Sequence, residues 1–243
     1  MHRLTQEFQK LLPKGATIAP VILTSDKTHL SNFTGDKSAW PVYPTIGNID
    51  KYTQRSPTTQ ATVLIGYIPV TKLECFSKSK WQYQGYQVFH DCMRSLLKPL
   101  KDAGKNGVEM VCANGFICLV YPILGAYVAD HPEQCWVTCN HENQCPRCFA
   151  SHERMGQPEE SVICNVESVL NVMADAAAGV STEEFTCQGL RLNNPFWEDL
   201  PHCDIFSCIT HDLLHQLHKG VFKDHIVKWA MKCLENGDAE IDH

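Results

Sequence analysis

Residues 116–148 read FICLVYPILGAYVADHPEQCWVTCNHENQCPRC, and the rest of the chain is interpreted around them. Its apolar first part, 116–129, predicts a buried strand that ends directly before Asp130. Open α/β sheets commonly present polar residues for binding or chemistry at the C-terminal ends of such strands. The role of Asp130 therefore depends on which other strand ends beside it.

A second strand is predicted at 16–24, ATIAPVILT, and it ends just before Asp26. Taken alone, Asp26 is typical of a turn residue. A weaker strand is predicted at 40–49, where Pro41 and Pro44 cannot donate to a ladder. A third main strand is predicted at 61–70, ATVLIGYIPV, which is rich in Val and Ile.

The apolar period then changes to that of a helix over about 80–103, with Pro99 expected to kink it or end it early. The run Gly104–Gly107 is expected to stop the helix. A short strand at 108–112 and a tight turn at Asn114-Gly115 precede the strand that leads to Asp130.

This order predicts an α/β fold with a ribonuclease-H-like mixed sheet flanked by helices. By analogy with that fold, the first and fourth main strands lie side by side, which makes Asp26 and Asp130 neighbours. Two such carboxylates attract Mg²⁺ or Mn²⁺, and a pair of these ions supports phosphoryl transfer. The alternative from spacing alone is two unrelated surface turns.

Charge is distributed unevenly along the 243 residues, whose net charge is −6. Residues 1–120 carry 14 Lys and Arg against 8 Asp and Glu, and residues 121–243 carry 7 against 19. This pattern disfavours a simple nucleic-acid-coating module and is compatible with an acidic, cation-binding site. The start of the chain shows no signal-peptide pattern, and the longest apolar run is too short to span a bilayer. We therefore predict an intracellular protein, nuclear or cytoplasmic, with no membrane partner.

The domain organisation predicted from composition has four parts. Residues 1–15 form an N-terminal tail, 16–150 the core with a Cys-rich knuckle at 135–152, 151–200 an acidic helical insertion, and 201–243 the C-terminal helical part of the core. One helix of the insertion is predicted from an apolar face composed of Val162, Val166, Val169, Leu170 and Met173. The final helix is predicted to begin near Asp212 and to end before Gly237.

The knuckle Cys145-Pro-Arg-Cys148 has the two-residue spacing of a zinc site. The 13 cysteines of an intracellular chain are expected to be reduced, so they are free to ligate metal. Cys139 or Cys135, together with His141 or His152, would complete four ligands, and we predict the set Cys139, His141, Cys145 and Cys148. Free thiols in a buried turn are the alternative.

A further candidate is Asp212-Leu-Leu-His215, in which an acid and an imidazole share one side of a helix. The functional interpretation is an acid–histidine pair that supports an active site. The structural alternative is an Asp in the first helical turn that favours the helix dipole, beside an exposed histidine.

Long segments of this chain resemble the Plavaka family of fungal DNA transposons, relatives of the CACTA-type cut-and-paste transposases. The similar segments are VILTSDKTHLSNFTGDKSAWPVYPTIGNI (21–49), ATVLIGYIPVTKLECF (61–76), KPLKDAGKNGVEMVCANGF (98–116), YVADHPEQC (127–135), CPRC (145–148) and NPFWEDLPHCDIFSCITHDLLHQLHKGVFKDHIVKW (194–229).

The resemblance implies a metal-dependent Asp-Asp-Glu transposase core that cleaves and joins transposon-end DNA, and it is compatible with a homo-oligomer. It assigns the first Asp to Asp26 and the second to Asp130, and Asp212 with His215 to the acid–histidine signature. Relatives often have Ala-Asp-Gly where this chain has Asn114, which we interpret as a turn residue. The triad Glu is expected beyond His243, so the chain is expected to be a transposase fragment, inactive as it stands. A non-catalytic, zinc-stabilised interaction module derived from a transposase is the alternative.

Overall fold

The computed structural model describes residues 8–30, 38–70, 73–112, 114–150, 152–155, 157–158, 160–180 and 183–233. It has a mixed α/β fold in two compact units, Met1–Ile209 and Thr210–His243. The strands are β1 (Thr17–Ser25), β2 (Thr28–His29), β3 (Ser38–Ala39), β4 (Pro41–Ile46), β5 (Gly66–Tyr67), β6 (Val108–Val111) and β7 (Ile117–Val128). The α-helices of the first unit are α1 (Lys51–Arg55), α2 (Trp81–Leu96), α3 (Lys98–Asn106), α4 (His131–Val137), α5 (Val166–Ala177), α6 (Glu183–Cys187) and α7 (Ile205–Cys208).

The main sheet has the strand order β5-β4-β1-β7-β6. Its centre is the parallel pair β1 and β7, and β1 pairs on its other edge with β4, which runs antiparallel. The expected mixed sheet flanked by helices is therefore confirmed, and so is the side-by-side placement of the strands before Asp26 and Asp130. Both strands match their predicted bounds within one residue because each is a continuous apolar run, as expected for strands buried on both faces.

The predicted strand at 61–70 is wrong in length, because only Gly66–Tyr67 forms a strand. The rest of the segment still lies along β4, where the N–H of Val63 donates to the carbonyl of Pro44 at 3.1 Å. Pro44 has no N–H, so Val63 and Pro44 form only one of the two hydrogen bonds that such an antiparallel pair can make. The prolines of β4 therefore limit the length of the neighbouring strand β5.

The predicted helix over 80–103 is two helices, since α2 ends at Leu96 and α3 begins at Lys98, with Pro99 in its first turn. Of the two effects expected from Pro99, a kink or an early end, the early end is confirmed. The expected stop in the run Gly104–Gly107 is confirmed, because α3 ends at Asn106 and its C-cap Gly107 adopts a φ of 73°. Gly104 itself allows close packing, since a Cβ there would lie 2.8 Å from the Cγ of Pro201.

The main core lies between the sheet and the helices of the first unit, and it includes the completely buried side chains Leu23, Val42, Phe89, Met93, Tyr127, Val169, Phe196 and Trp197. Trp197 also donates from its indole Nε1 to the carbonyl of Val137 at 2.6 Å. In the predicted insertion helix, Val169 and Met173 face this core as expected. Val162 is a correction, because α5 begins only at Val166 and Val162 is exposed.

In its described residues, the second unit has a π-helical segment, Leu213–Val227, followed by helix α8 (Lys228–Cys233). Asp212 is the N-cap residue of the π-helical segment, so the helix start predicted near Asp212 is confirmed. The expected end near Gly237 lies outside the described residues. In the part of the chain that the structure describes, no helix has the length and apolarity needed to cross a membrane.

Candidate functional site: the carboxylate edge

Two acids lie at one edge of the main sheet, which we call the carboxylate edge and define by Asp26 and Asp130. The parallel register of β1 and β7 pairs Thr24 with Val128. Each acid lies two residues beyond its member of that pair. Because parallel strands end at the same edge of a sheet, the backbone brings the two acids to one edge, which spacing alone did not establish.

The two carboxyl groups are held differently. Asp26 is exposed, and its Oδ2 accepts a hydrogen bond from the Thr28 hydroxyl at 3.3 Å. Asp130 is half-buried and is the N-cap of α4, where its Oδ1 accepts from the backbone N–H of Glu133 at 2.9 Å. The cap fixes the orientation of the Asp130 side chain. Oxygen ligands on two neighbouring acids fit the preference of Mg²⁺ and Mn²⁺.

A buried carboxyl group, Glu133, lies directly behind the carboxylate edge and is only 6% exposed. Its Oε1 accepts hydrogen bonds from the hydroxyls of Ser25 and Tyr127, and its Oε2 accepts from the Trp40 indole Nε1 at 3.0 Å. Burial raises its pKa from 4.5 to about 7, against the opposing effect of the hydrogen bonds from Ser25 and Trp40. Through Ser25, this network ties the end of β1 to the helix that Asp130 caps.

Sequence reasoning missed Glu133. Asp130-His131-Pro132-Glu133 matches the signature of a helix start, in which an acid three residues after the cap usually turns back to the cap backbone at the surface. Here the Glu133 side chain points to Ser25 and Trp40 instead. No helix was predicted for this segment from the sequence, so both α4 and the buried position of its glutamate were missed.

Asp212 and His215 are brought together in the second unit. The Oδ2 of Asp212 lies 2.9 Å from the Nδ1 of His215, and its Oδ1 accepts from the backbone N–H of the same residue at 2.9 Å. The Asp therefore caps the helix and contacts the imidazole at once. The contact between the acid and the imidazole agrees with the predicted proximity of the two side chains, and the capping role of Asp212 was not predicted.

The predicted zinc ligands are found in different surroundings. The thiols of Cys145 and Cys148 are half-buried and hydrogen-bond one another, while His141 is exposed. The Cys139 thiol is buried, its Sγ lies 3.3 Å from Nε2 of His90, and burial raises its pKa to about 12. Across the described ranges, no group of three or more His, Cys, Asp or Glu side chains is arranged to hold a metal ion.

The knuckle also has a neighbour that sequence reasoning did not consider. Cys148 forms a β-bridge with Ile163, and the N–H of Cys164 donates to the carbonyl of Arg147 at 2.9 Å. These contacts bring the backbone of Cys164 beside the knuckle although the two are far apart in sequence. Pairing between two loops carries no periodic pattern, so spacing could not reveal it.

Comparison with known protein families gives one result that covers nearly the whole chain. A family model described as Plavaka transposase matches residues 2–230. The chain belongs to the Plavaka transposase family. A search of curated proteins found no match. The resemblance drawn from the sequence is thereby confirmed, and both acids of the carboxylate edge lie inside the matched region of this Plavaka chain.

Proposed function

We propose that the first unit is the catalytic core of a DDE-type Plavaka transposase, which cleaves and transfers DNA strands with the help of divalent cations. The observation that carries the proposal is the register of β1 and β7, which sets Asp26 and Asp130 at one edge of the sheet. Membership of a transposase family supplies the substrate class, which is DNA carrying transposon ends.

The proposed fold of this core is ribonuclease-H-like. Two observations support it: β4 and β5 continue the sheet antiparallel on one side of β1, and β7 lies parallel on the other side. In this arrangement the acids follow the first and fourth main strands, the positions that the resemblance implies for the first two catalytic acids.

We propose that Asp26 and Asp130 hold Mg²⁺ or Mn²⁺. Such ions activate the attacking water or 3′-hydroxyl and stabilise the leaving oxygen of the phosphodiester. The protein itself contributes by holding the carboxyl groups of Asp26 and Asp130 in position. The cap at α4 orients Asp130, and the Ser25–Glu133 hydrogen bond holds the strand end that carries Asp26. Small displacements of reacting groups cost large factors in rate, so this support bears directly on activity.

We also propose that Asp212 and His215 act as a polar pair of the active protein, because the carboxylate and imidazole contact one another. The Asp holds the imidazole in one orientation through Nδ1, which leaves Nε2 for a further partner.

Metal binding by the purified chain tests the proposal, with Mn²⁺ followed by electron paramagnetic resonance. We expect Asp26→Asn and Asp130→Asn each to weaken Mn²⁺ binding by about tenfold or more, roughly 1.4 kcal/mol. Asparagine caps helices as well as aspartate does, so Asp130→Asn removes the charge and keeps the cap. Asp50→Asn is the matched control, because Asp50 caps α1 through the same type of contact. Unchanged Mn²⁺ affinity in both test variants would contradict the metal assignment.

Strand cleavage is the second measurement, with Mg²⁺ or Mn²⁺ and DNA that carries transposon ends. Cleavage that disappears in Asp26→Asn and Asp130→Asn would show that the chain supplies every group the reaction needs. Metal binding without cleavage would show that the chain supplies two ligands and that a third carboxylate must be added. Cleavage that survives both substitutions would overturn the proposed site.

The alternative function is a zinc-stabilised interaction module, which the paired thiols of Cys145 and Cys148 favour. It predicts stoichiometric zinc in the purified protein, lost in Cys145→Ser, together with no Mn²⁺ binding that depends on Asp26 or Asp130. The Mn²⁺ titration therefore separates the two functions.

A further inference from the structure

A cavity of about 300 Å³ opens among aromatic side chains of the first unit. We call it the aromatic pocket and define it by five of its lining residues, which are Lys27, Trp40, Trp81, Tyr86 and Trp136. Its volume is at the lower end of the range for small-ligand sites, and most of its lining surface is apolar. These properties suit a flat, largely apolar group.

The aromatic pocket adjoins the carboxylate edge. Lys27 directly follows Asp26 in the chain, and Trp136 lies on α4, the helix that Asp130 caps. Trp40 donates its indole N–H to Glu133, the buried residue behind that edge. The pocket and the two acids are therefore linked through Lys27, through α4 and through the Trp40–Glu133 hydrogen bond.

Most of the rings already pack against one another and form a fixed floor. Trp136 makes edge contacts with Trp40 and Tyr86, at centroid distances of 5.4 and 4.2 Å. The guanidinium of Arg191 covers the Tyr86 ring at 3.9 Å. These contacts hold the floor rigid before any ligand arrives.

Trp81 differs from the other rings. It is half-buried, and within the described part of the chain no ring–ring contact involves it. Its indole Nε1 donates to the carbonyl of Phe76 at 2.8 Å, which pins the orientation of the ring. A pinned indole with no stacked neighbour is a platform on which another flat group can stack.

The charge around the pocket selects the kind of flat group. Lys27 is the charged side chain among the described lining residues. Lys78 and Lys80, both exposed, lie in the turn just before Trp81. Aromatic platforms beside cationic side chains are how proteins hold single-stranded nucleic acid, because the bases stack and the lysines meet the phosphates.

We propose that the aromatic pocket receives one unstacked nucleobase of the DNA strand that enters the carboxylate edge, with Trp81 as its stacking platform and Lys27 at the adjoining phosphate. This inference rests on the proposed function, because it takes DNA as the substrate. It also places a requirement on the substrate: one nucleotide near the reacting phosphate must leave the base stack.

The test compares two short oligonucleotides of equal length, an oligothymidine strand and an abasic strand with the same backbone. Binding is measured by fluorescence anisotropy in low-salt buffer containing EDTA, so that the result does not depend on metal at Asp26 and Asp130. We expect Trp81→Ala to weaken oligothymidine binding between about fivefold and about a hundredfold, the range for loss of one stacked ring. We expect it to leave abasic-strand binding unchanged.

Three further variants complete the test. Trp81→Phe keeps a ring and is expected to retain part of the preference for bases, which also guards against a folding defect in Trp81→Ala. Lys27→Gln is expected to weaken binding of both strands by a similar factor, since it removes a phosphate contact. Tyr83→Ala is the matched control, because Tyr83 is an exposed ring on the same helix that does not line the pocket.

Equal losses for both strands in Trp81→Ala, no loss for either, or a loss in Tyr83→Ala as large as that in Trp81→Ala would each overturn the proposal. Failure of the proposed function is a separate result, because absence of Mn²⁺ binding at Asp26 and Asp130 leaves the base preference measured in EDTA unaffected.

Discussion

Replacement of Glu133 by Gln removes a titrating group from the centre of the network behind the carboxylate edge. Glutamine has nearly the same shape, so its side-chain oxygen can still accept from Trp40 and its amide can donate to Ser25. The perturbation is therefore mainly one of charge. Because Glu133 is buried, the charged form of this carboxyl group destabilises the fold relative to the neutral form.

The magnitude follows from the pKa. Burial raises the pKa of Glu133 from 4.5 to about 7, so the folded protein holds this proton where the unfolded chain has already released it. The difference corresponds to about 3 kcal/mol, as an order of magnitude. The sign is fixed by linkage: the contribution is fully present below pH 4.5, is lost progressively as pH rises to about 7, and stays lost above it.

Urea unfolding of the wild type and Glu133→Gln across this pH range measures the effect. The titrating groups that both proteins share contribute equally to each unfolding free energy, so their contributions cancel in the difference. We expect this difference to move in favour of Glu133→Gln by about 3 kcal/mol from acid to neutral pH. A difference that does not depend on pH would refute the account of Glu133 as a buried, titrating carboxyl group.

Two further predictions concern stability near the same elements. Gly104→Ala is expected to lower the unfolding free energy by about 1–3 kcal/mol, because the new Cβ would lie 2.8 Å from Pro201 and 2.9 Å from the carbonyl oxygen of Pro122. A melting temperature equal to that of the wild type would contradict this expectation. Asp130→Ala is expected to cost about 1 kcal/mol more in unfolding free energy than Asp130→Asn, since only alanine removes the cap on the Glu133 N–H; equal denaturation midpoints would show that the cap contributes nothing.

The central strands could be predicted from the sequence because their signal is local. The runs that became β1 and β7 are long and apolar, and each ends at an acid, so their ends were placed within one residue. The strand at 61–70 was overestimated because its length depends on the partner, where Pro44 cannot return a hydrogen bond. The end of the helix in the run Gly104–Gly107 was predicted correctly, but the close packing of Gly104 against Pro201 leaves no sign in the sequence.

Only the parts of the site that have a local signal in the sequence could be predicted. Asp26 and Asp130 could be named from the sequence, but their common edge depended on strand order, which periodicity does not encode. Glu133 followed a surface-type helix start and turned inward, and that direction is decided by Ser25 and Trp40 from other segments. The aromatic pocket was not predicted. Its rings come from the residue before β4, from α2 and from α4, and these segments meet only in the folded protein.

Iron-mediated cleavage of the protein backbone can show whether a metal ion binds at Asp26 and Asp130. Fe²⁺ replaces Mg²⁺ in the purified chain, ascorbate and peroxide generate radicals at the bound ion, and mass spectrometry maps the cuts. We expect cuts beside Asp26 and Asp130 that are suppressed by excess Mg²⁺ and lost in Asp26→Asn and Asp130→Asn. Cuts confined to the Cys145–Cys148 knuckle, or cuts beside the two acids that persist in both variants, would contradict this expectation.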